Sequence, residues 1–188
     1  MGRWEADAGG RLQHAAMSLY FERGYDDVTV AEIAERAGLT KRTFFRHYAD
    51  KREVLFAGAP AFQAGVVAAV AAAPADTSPI ATVITALAET AGAQLAQYGE
   101  WARARRDLVE SSTDLRERSL IKSADLAAAV TAALRERGVA PGTATLTAHA
   151  GVTAFTVGYD RWADGNGAGD LPTVVRRTLG DLRAAITS

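Results

Sequence analysis

The chain has 188 residues, with 21 Lys and Arg against 22 Asp and Glu and a formal net charge of −1. Hydrophobic residues make up 48% of it and cysteine is absent; this excludes a disordered tail, a uniformly cationic nucleic-acid coat, disulfides, thiol catalysis and thiolate metal sites. No run nears the ~18 apolar residues of a membrane helix, and the mixed start Met1-Gly2-Arg3-Trp4-Glu5 lacks the apolar stretch of a secretory signal. A cytoplasmic protein with no membrane partner is expected.

The chain reads as helical almost throughout. Leu12, Ala15, Ala16, Leu19 and Tyr20 recur at three-four spacing, and Gly24 ends that helix. Thr29 opens a short helix carrying Val30, Ile33, Ala34 and Ala37, which Gly38 closes. Thr40 opens a third, with Phe44 and Phe45, and Asp50 opens a fourth that runs through Val54 and Leu55 into the alanine-rich stretch 64–73. Pro74 to Pro79 is the clearest break, with Ser78-Pro79 as N-cap and first helical residue. Helices follow at about 79–98, 100–110, 114–137, 144–163 and 171–187, separated by Gly138 and by a glycine-rich loop at 165–169 that reads as flexible. No alternating strand pattern persists. The spacing predicts an all-α fold of about nine helices: a three-helix helix-turn-helix head at 1–56 and a larger helical body at 57–188.

The head carries the most specific signal. Ala34 lets a second helix cross closely, Gly38 allows the left-handed turn between helices, and Phe44 anchors the second helix in the core. Within 39–52, Lys41, Arg42, Arg46, Lys51 and Arg52 face a single acid, Asp50. A concentrated basic spot on a neutral chain points to an anionic partner, or to a solvated helix face.

The run Val28-Thr29-Val30-Ala31-Glu32-Ile33-Ala34-Glu35-Arg36-Ala37-Gly38-Leu39-Thr40-Lys41-Arg42-Thr43-Phe44-Phe45-Arg46-His47-Tyr48, followed by Lys51, resembles the DNA-binding head of the tetracycline-repressor (TetR) family of bacterial regulators. The resemblance covers about residues 10–57. Phe45 stands where that family usually has Tyr, and Arg42 where Gly or Ala is common. It implies a homodimeric repressor that reads a palindromic double-stranded operator and releases it when a small molecule of unspecified identity binds the body. The expected DNA-binding residues are Thr29, Thr40, Lys41, Arg42, Thr43, Phe45, His47 and Lys51. Thr29 and Thr40 cap helices, Arg42 has the fork to take guanine O6 and N7, and Thr43 offers a methyl to thymine. Phe45 meets a sugar or a thymine methyl, or packs in the core; His47 and Lys51 face phosphate. Phe44 and Tyr48 read as core.

The body carries weaker signals. Val175, Leu179, Leu182 and Ile186 form one apolar stripe on the last helix, and Ala150, Ala154 and Gly158 offer small residues at i+4 steps on the helix before it. Two such helices from each subunit would make a four-helix dimer contact, as the resemblance implies; alternatively both stripes face their own core. On another face of 144–163, Val152, Phe155, Tyr159 and Trp162 look into the body, opposite Phe62, Tyr98 and Trp101. This outlines an apolar ligand site with Arg105 or His149 as orienting groups, or a packed aromatic core. The segments Trp101–Arg106, Thr113–Arg116 and Tyr159–Trp162 are similar to a subgroup of these regulators that binds acyl-coenzyme-A-like ligands. His14, His47 and His149 have no metal-ligand partner at i+3 or i+4, and no nucleophile or phosphate-loop motif occurs. No catalysis, metal or cofactor is expected. The rival reading is a helical DNA-binding or interaction protein with a protein partner and no small-molecule effector.

Overall fold

The computed structural model describes residues 8–187; Met1–Glu5, where no secretory signal is expected, lie outside them. Every regular element among the described residues is helical. In chain order these are α1 (Ala8–Arg23), α2 (Val30–Arg36), α3 (Lys41–His47), α4 (Lys51–Leu55), α5 (Ala59–Ala72), α6 (Pro79–Gln94), a 3-10 turn at Ala96–Tyr98, α7 (Gly99–Ser111), α8 (Thr113–Glu136), α9 (Pro141–Asp164) and α10 (Leu171–Thr187). No helix among them is long and apolar enough to cross a membrane.

The described residues form two compact units. The first joins the residues up to Ala59 with Asp107–Ser119, the end of α7 and the start of α8. Its core is Leu12, Leu19, Tyr20, Val28, Ile33, Phe44 and Val54, together with Leu108 and Leu115. Local chemistry fixes each short helix. Thr29 caps α2 in a capping box with Glu32, Thr40 caps α3, and the Asp50 carboxylate accepts from the amides of Arg52 and Glu53 to start α4. Gly38 sits at φ +65° between α2 and α3, the left-handed backbone that the turn requires. The expected long fourth helix is in fact two. α4 stops at Leu55 and α5 begins at Ala59, because Pro60 lacks the amide proton and its ring would strike the carbonyl of Phe56 in a continuous helix.

The second unit comprises the described residues 60–106 and 120–187, with a core drawn from α5 to α10. Pro141 itself opens α9, one turn earlier than the spacing suggested. The loop after α9 is docked: the Trp162 indole donates to the Gly169 carbonyl at 3.2 Å. A Cβ placed on Gly167 would lie 2.3 Å from the Gly99 Cα, so these two backbones touch.

The stripes expected to meet a partner subunit are largely covered within one chain. Ala154, Gly158, Val175 and Leu179 are buried, and a Cβ on Gly158 would stand 3.0 Å from the Cα of Val175. The small residue lets α9 close on α10 of its own chain. Ala150 and Leu182 are half-buried, while Ile186 is 75% exposed.

Candidate nucleic-acid interface

α3 has two chemically distinct faces. Phe44 is fully buried in the core of the first unit, and half-buried Tyr48 donates its phenol to the Gly9 carbonyl at 3.0 Å. Anchored this way, the helix turns Lys41, Arg42, Phe45, Arg46 and His47 outward. Phe45 is 57% exposed, with its ring edge-on to Phe44 at 5.5 Å between centroids. Thr40 is exposed and accepts from the Thr43 amide at 3.2 Å, while the Thr43 hydroxyl lies 3.1 Å from that of Thr40. Thr43 is half-buried, so it faces less of the surface than Arg42 and Phe45 do.

The basic residues of this unit divide into engaged and available groups. Arg36 makes a two-pronged contact to Glu22 at 3.0 Å on each oxygen, Arg23 bonds Glu32 at 2.8 Å, and Arg52 bonds Asp50 at 2.7 Å. Hydrogen bonds from Arg36 and Ser18 bring the Glu22 carboxyl down to about 2, and those from Arg23 and Thr29 do the same for Glu32. Lys41 and Arg42 make no hydrogen bond or ion pair among the described residues, and both are exposed. These two cations are unpaired on a surface where most arginines are not.

Lys51, expected to face phosphate, is engaged inside the first unit. Its ammonium donates to the carbonyls of Tyr25 at 2.8 Å, Val28 at 2.9 Å and Asp26 at 3.3 Å, and lies 4.1 Å from the centre of the Tyr25 ring. All three protons are engaged, and the side chain ties the start of α4 to the turn between α1 and α2. The Tyr20 phenol reinforces this by donating to the Lys51 carbonyl at 2.7 Å, and burial pushes that phenol well above its ordinary pKa. Thr29 is exposed, but its hydroxyl and amide both face Glu32 in the capping box.

In the second unit, Phe62 and Phe155 stack at 5.2 Å, and the row continues through Tyr159 to Trp162 at 6.4 and 5.8 Å between centroids. Arg105 is half-buried, whereas Tyr98, Trp101 and His149 are exposed. Arg106 pairs with Asp164 and donates to the Asp160 carbonyl at 3.2 Å. Two features left no sequence signal. One is the contact of Arg118 with Glu53, which joins the start of α8 to α4 inside the first unit. The other is the hydroxyl of Thr82, which is buried without a hydrogen-bond partner among the described residues.

The family model described as bacterial regulatory proteins, tetR family, matches residues 12–57. An uncharacterized HTH-type transcriptional regulator of Mycobacterium tuberculosis is 44% identical over 55 residues, 29% of each chain. The HTH-type transcriptional regulator TcmR of Streptomyces glaucescens is 37% identical over 70 residues, 37% of this chain and 31% of TcmR. Both alignments thus span less than a third of the relative. Over nearly the whole chain the fold is similar to that of the fatty acid degradation regulator FadR of Bacillus halodurans, with a TM-score of 0.65 at 18% identity, covering 91% of this chain and 95% of that one. It is also similar to FadR of Thermus thermophilus, a TetR-family repressor solved with lauroyl-CoA, with a TM-score of 0.56 at 22% identity and 91% of each chain covered. Residues 12–57 thus match the tetR family of bacterial regulatory proteins, and over nearly its whole length the chain has a fold similar to that of a solved repressor of that family.

Proposed function

We propose that the chain is a homodimeric, ligand-responsive transcriptional repressor that binds a palindromic operator through α3 and releases it when a small apolar molecule occupies the body. The carrying observation is the outward face of α3, where Lys41 and Arg42 have no partner among the described residues and Phe45 is exposed. On a helix-turn-helix the second helix enters the major groove, and unpaired cations there meet phosphates and base edges without first breaking internal bonds. Thr40 and His47 flank this face and suit phosphate. The protein acts by binding, with neither catalysis nor cofactor, and a cytoplasmic location fits that role.

The likeness to a regulator solved with lauroyl-CoA favours an acyl thioester as effector. The aromatic row Phe62, Phe155 and Tyr159 supplies apolar surface for such a chain, with Arg105 or His149 to orient a polar end. An effector acts only through a difference in affinity between DNA-competent and DNA-incompetent forms, commonly about 5–150-fold. For the second copy we assign the stripe of α9 formed by exposed Leu146, Thr153 and Val157 with half-buried Ala150, at four-three-four spacing, together with Ile186 of α10. The test is fluorescence anisotropy of the full chain on DNA flanking its own gene, followed by titration with lauroyl-CoA and, separately, coenzyme A. Saturable binding that lauroyl-CoA alone reverses supports the whole proposal. Absence of any complex overturns it, and a complex indifferent to both removes the acyl effector.

A further inference from the structure

Within the proposed DNA-binding role, on which this inference rests, the exposed side chains of α3 narrow the base sequence that the head reads. Arg42 and Phe45 are three residues apart and both exposed, so they share one face of the helix. Three residues advance a helix by about 4.5 Å, close to the roughly 3.4 Å between successive bases on a strand. The two side chains are therefore spaced for neighbouring base pairs.

Their chemistry differs completely. The guanidinium of Arg42, without a carboxylate or carbonyl partner among the described residues, has the planar fork that matches the paired acceptors O6 and N7 of guanine. Phe45 has no polar atom. Its ring is fixed from behind by the edge-on contact with buried Phe44, so little freedom is lost when it meets another surface. The apolar feature of base edges in the major groove is the C5 methyl of thymine. Thr43, the other residue able to meet a methyl, is half-buried with its hydroxyl turned to Thr40. A tyrosine at 45 would add a hydroxyl for phosphate; phenylalanine leaves only the apolar contact.

We propose that Arg42 and Phe45 together select a guanine next to a thymine, Arg42 through the guanine O6 and N7 and Phe45 through the thymine methyl. Lys41, beside them and equally unpaired, supplies charge to the adjoining backbone rather than sequence preference.

The experiment selects bound duplexes from a random 20-base-pair library with the full chain, then remakes the selected duplex in two altered forms. Uracil in place of the thymine removes only the methyl, and 7-deazaguanine removes only N7. By anisotropy at fixed salt, uracil should weaken wild-type binding about four-fold, the worth of one methyl, and leave Phe45→Ala indifferent. The deaza base should weaken wild type about ten-fold and leave Arg42→Ala indifferent. Both variants change exposed residues, and unaltered thermal melts certify their fold. A selected site lacking the guanine-thymine neighbours, or penalties equally large in the variants, overturns the inference. A selection that enriches nothing over random DNA overturns the DNA-binding reading beneath it.

Discussion

At Lys51 a charge on the edge of a basic cluster serves the fold. Its ammonium satisfies three carbonyls of the α1–α2 turn and lies against the Tyr25 ring. Hydrogen bonds from a charged donor contribute about 1.5–3 kcal/mol. Lys51→Ala should therefore lower stability in urea denaturation by about that amount while leaving the salt dependence of DNA binding unchanged. Unchanged stability with a salt slope reduced by about one would restore the phosphate role. Thr82 makes the opposite case, since its buried hydroxyl has no partner among the described residues. Thr82→Val keeps the shape and removes the unpaired oxygen, so it should be neutral or stabilising by about 1 kcal/mol. A loss of that size in the same assay would mean that the hydroxyl is satisfied after all.

At the level of elements, the first unit depends on residues far along the chain. Leu115 is fully buried and Leu108 nearly so, both in the cluster that holds Phe44 and Val54. Leu115→Ala should cost about 2–5 kcal/mol and speed hydrogen exchange in α1 while sparing the centre of α9. Equal protection of α1 in the variant and wild type would contradict that packing. The sequence disclosed α1 to α3 well, because caps, apolar spacing and Gly38 act within a few residues. It placed Lys41 and Arg42 on the first turn of α3 for the same reason, and left Phe45 open between the surface and the core. It did not disclose which surface covers an apolar stripe. Leu108 and Leu115 look like ordinary helix residues until folding brings them to α4, and the small face of α9 looks like a dimer seam until Gly158 meets Val175. The break before α5 was legible in Pro60 and was masked by the alanine-rich run after it. Lys51 shows the same limit for charge: spacing locates a cation but not the carbonyls that engage it.

At the scale of the whole molecule, the proposed repression needs two copies and a readable DNA site. The covered stripe on α10 makes Leu182, half-buried and packed against the body core, a poor place to split a dimer. Leu146, 74% exposed on α9, is a better one. Leu146→Glu should sediment as a folded monomer with weakened operator binding, whereas an unchanged dimer would remove α9 from the contact. The central claim is that the α3 face reads DNA by sequence, and its most direct measurement is the affinity of the full chain and of Arg42→Ala for a selected duplex and a random one. Wild type should prefer the selected duplex by about 1,000-fold or more at physiological salt, and Arg42→Ala should lose about 1–3 kcal/mol on it with little change on random DNA. Equal affinity of wild type for the two duplexes, or an equal loss on both in Arg42→Ala, would contradict it.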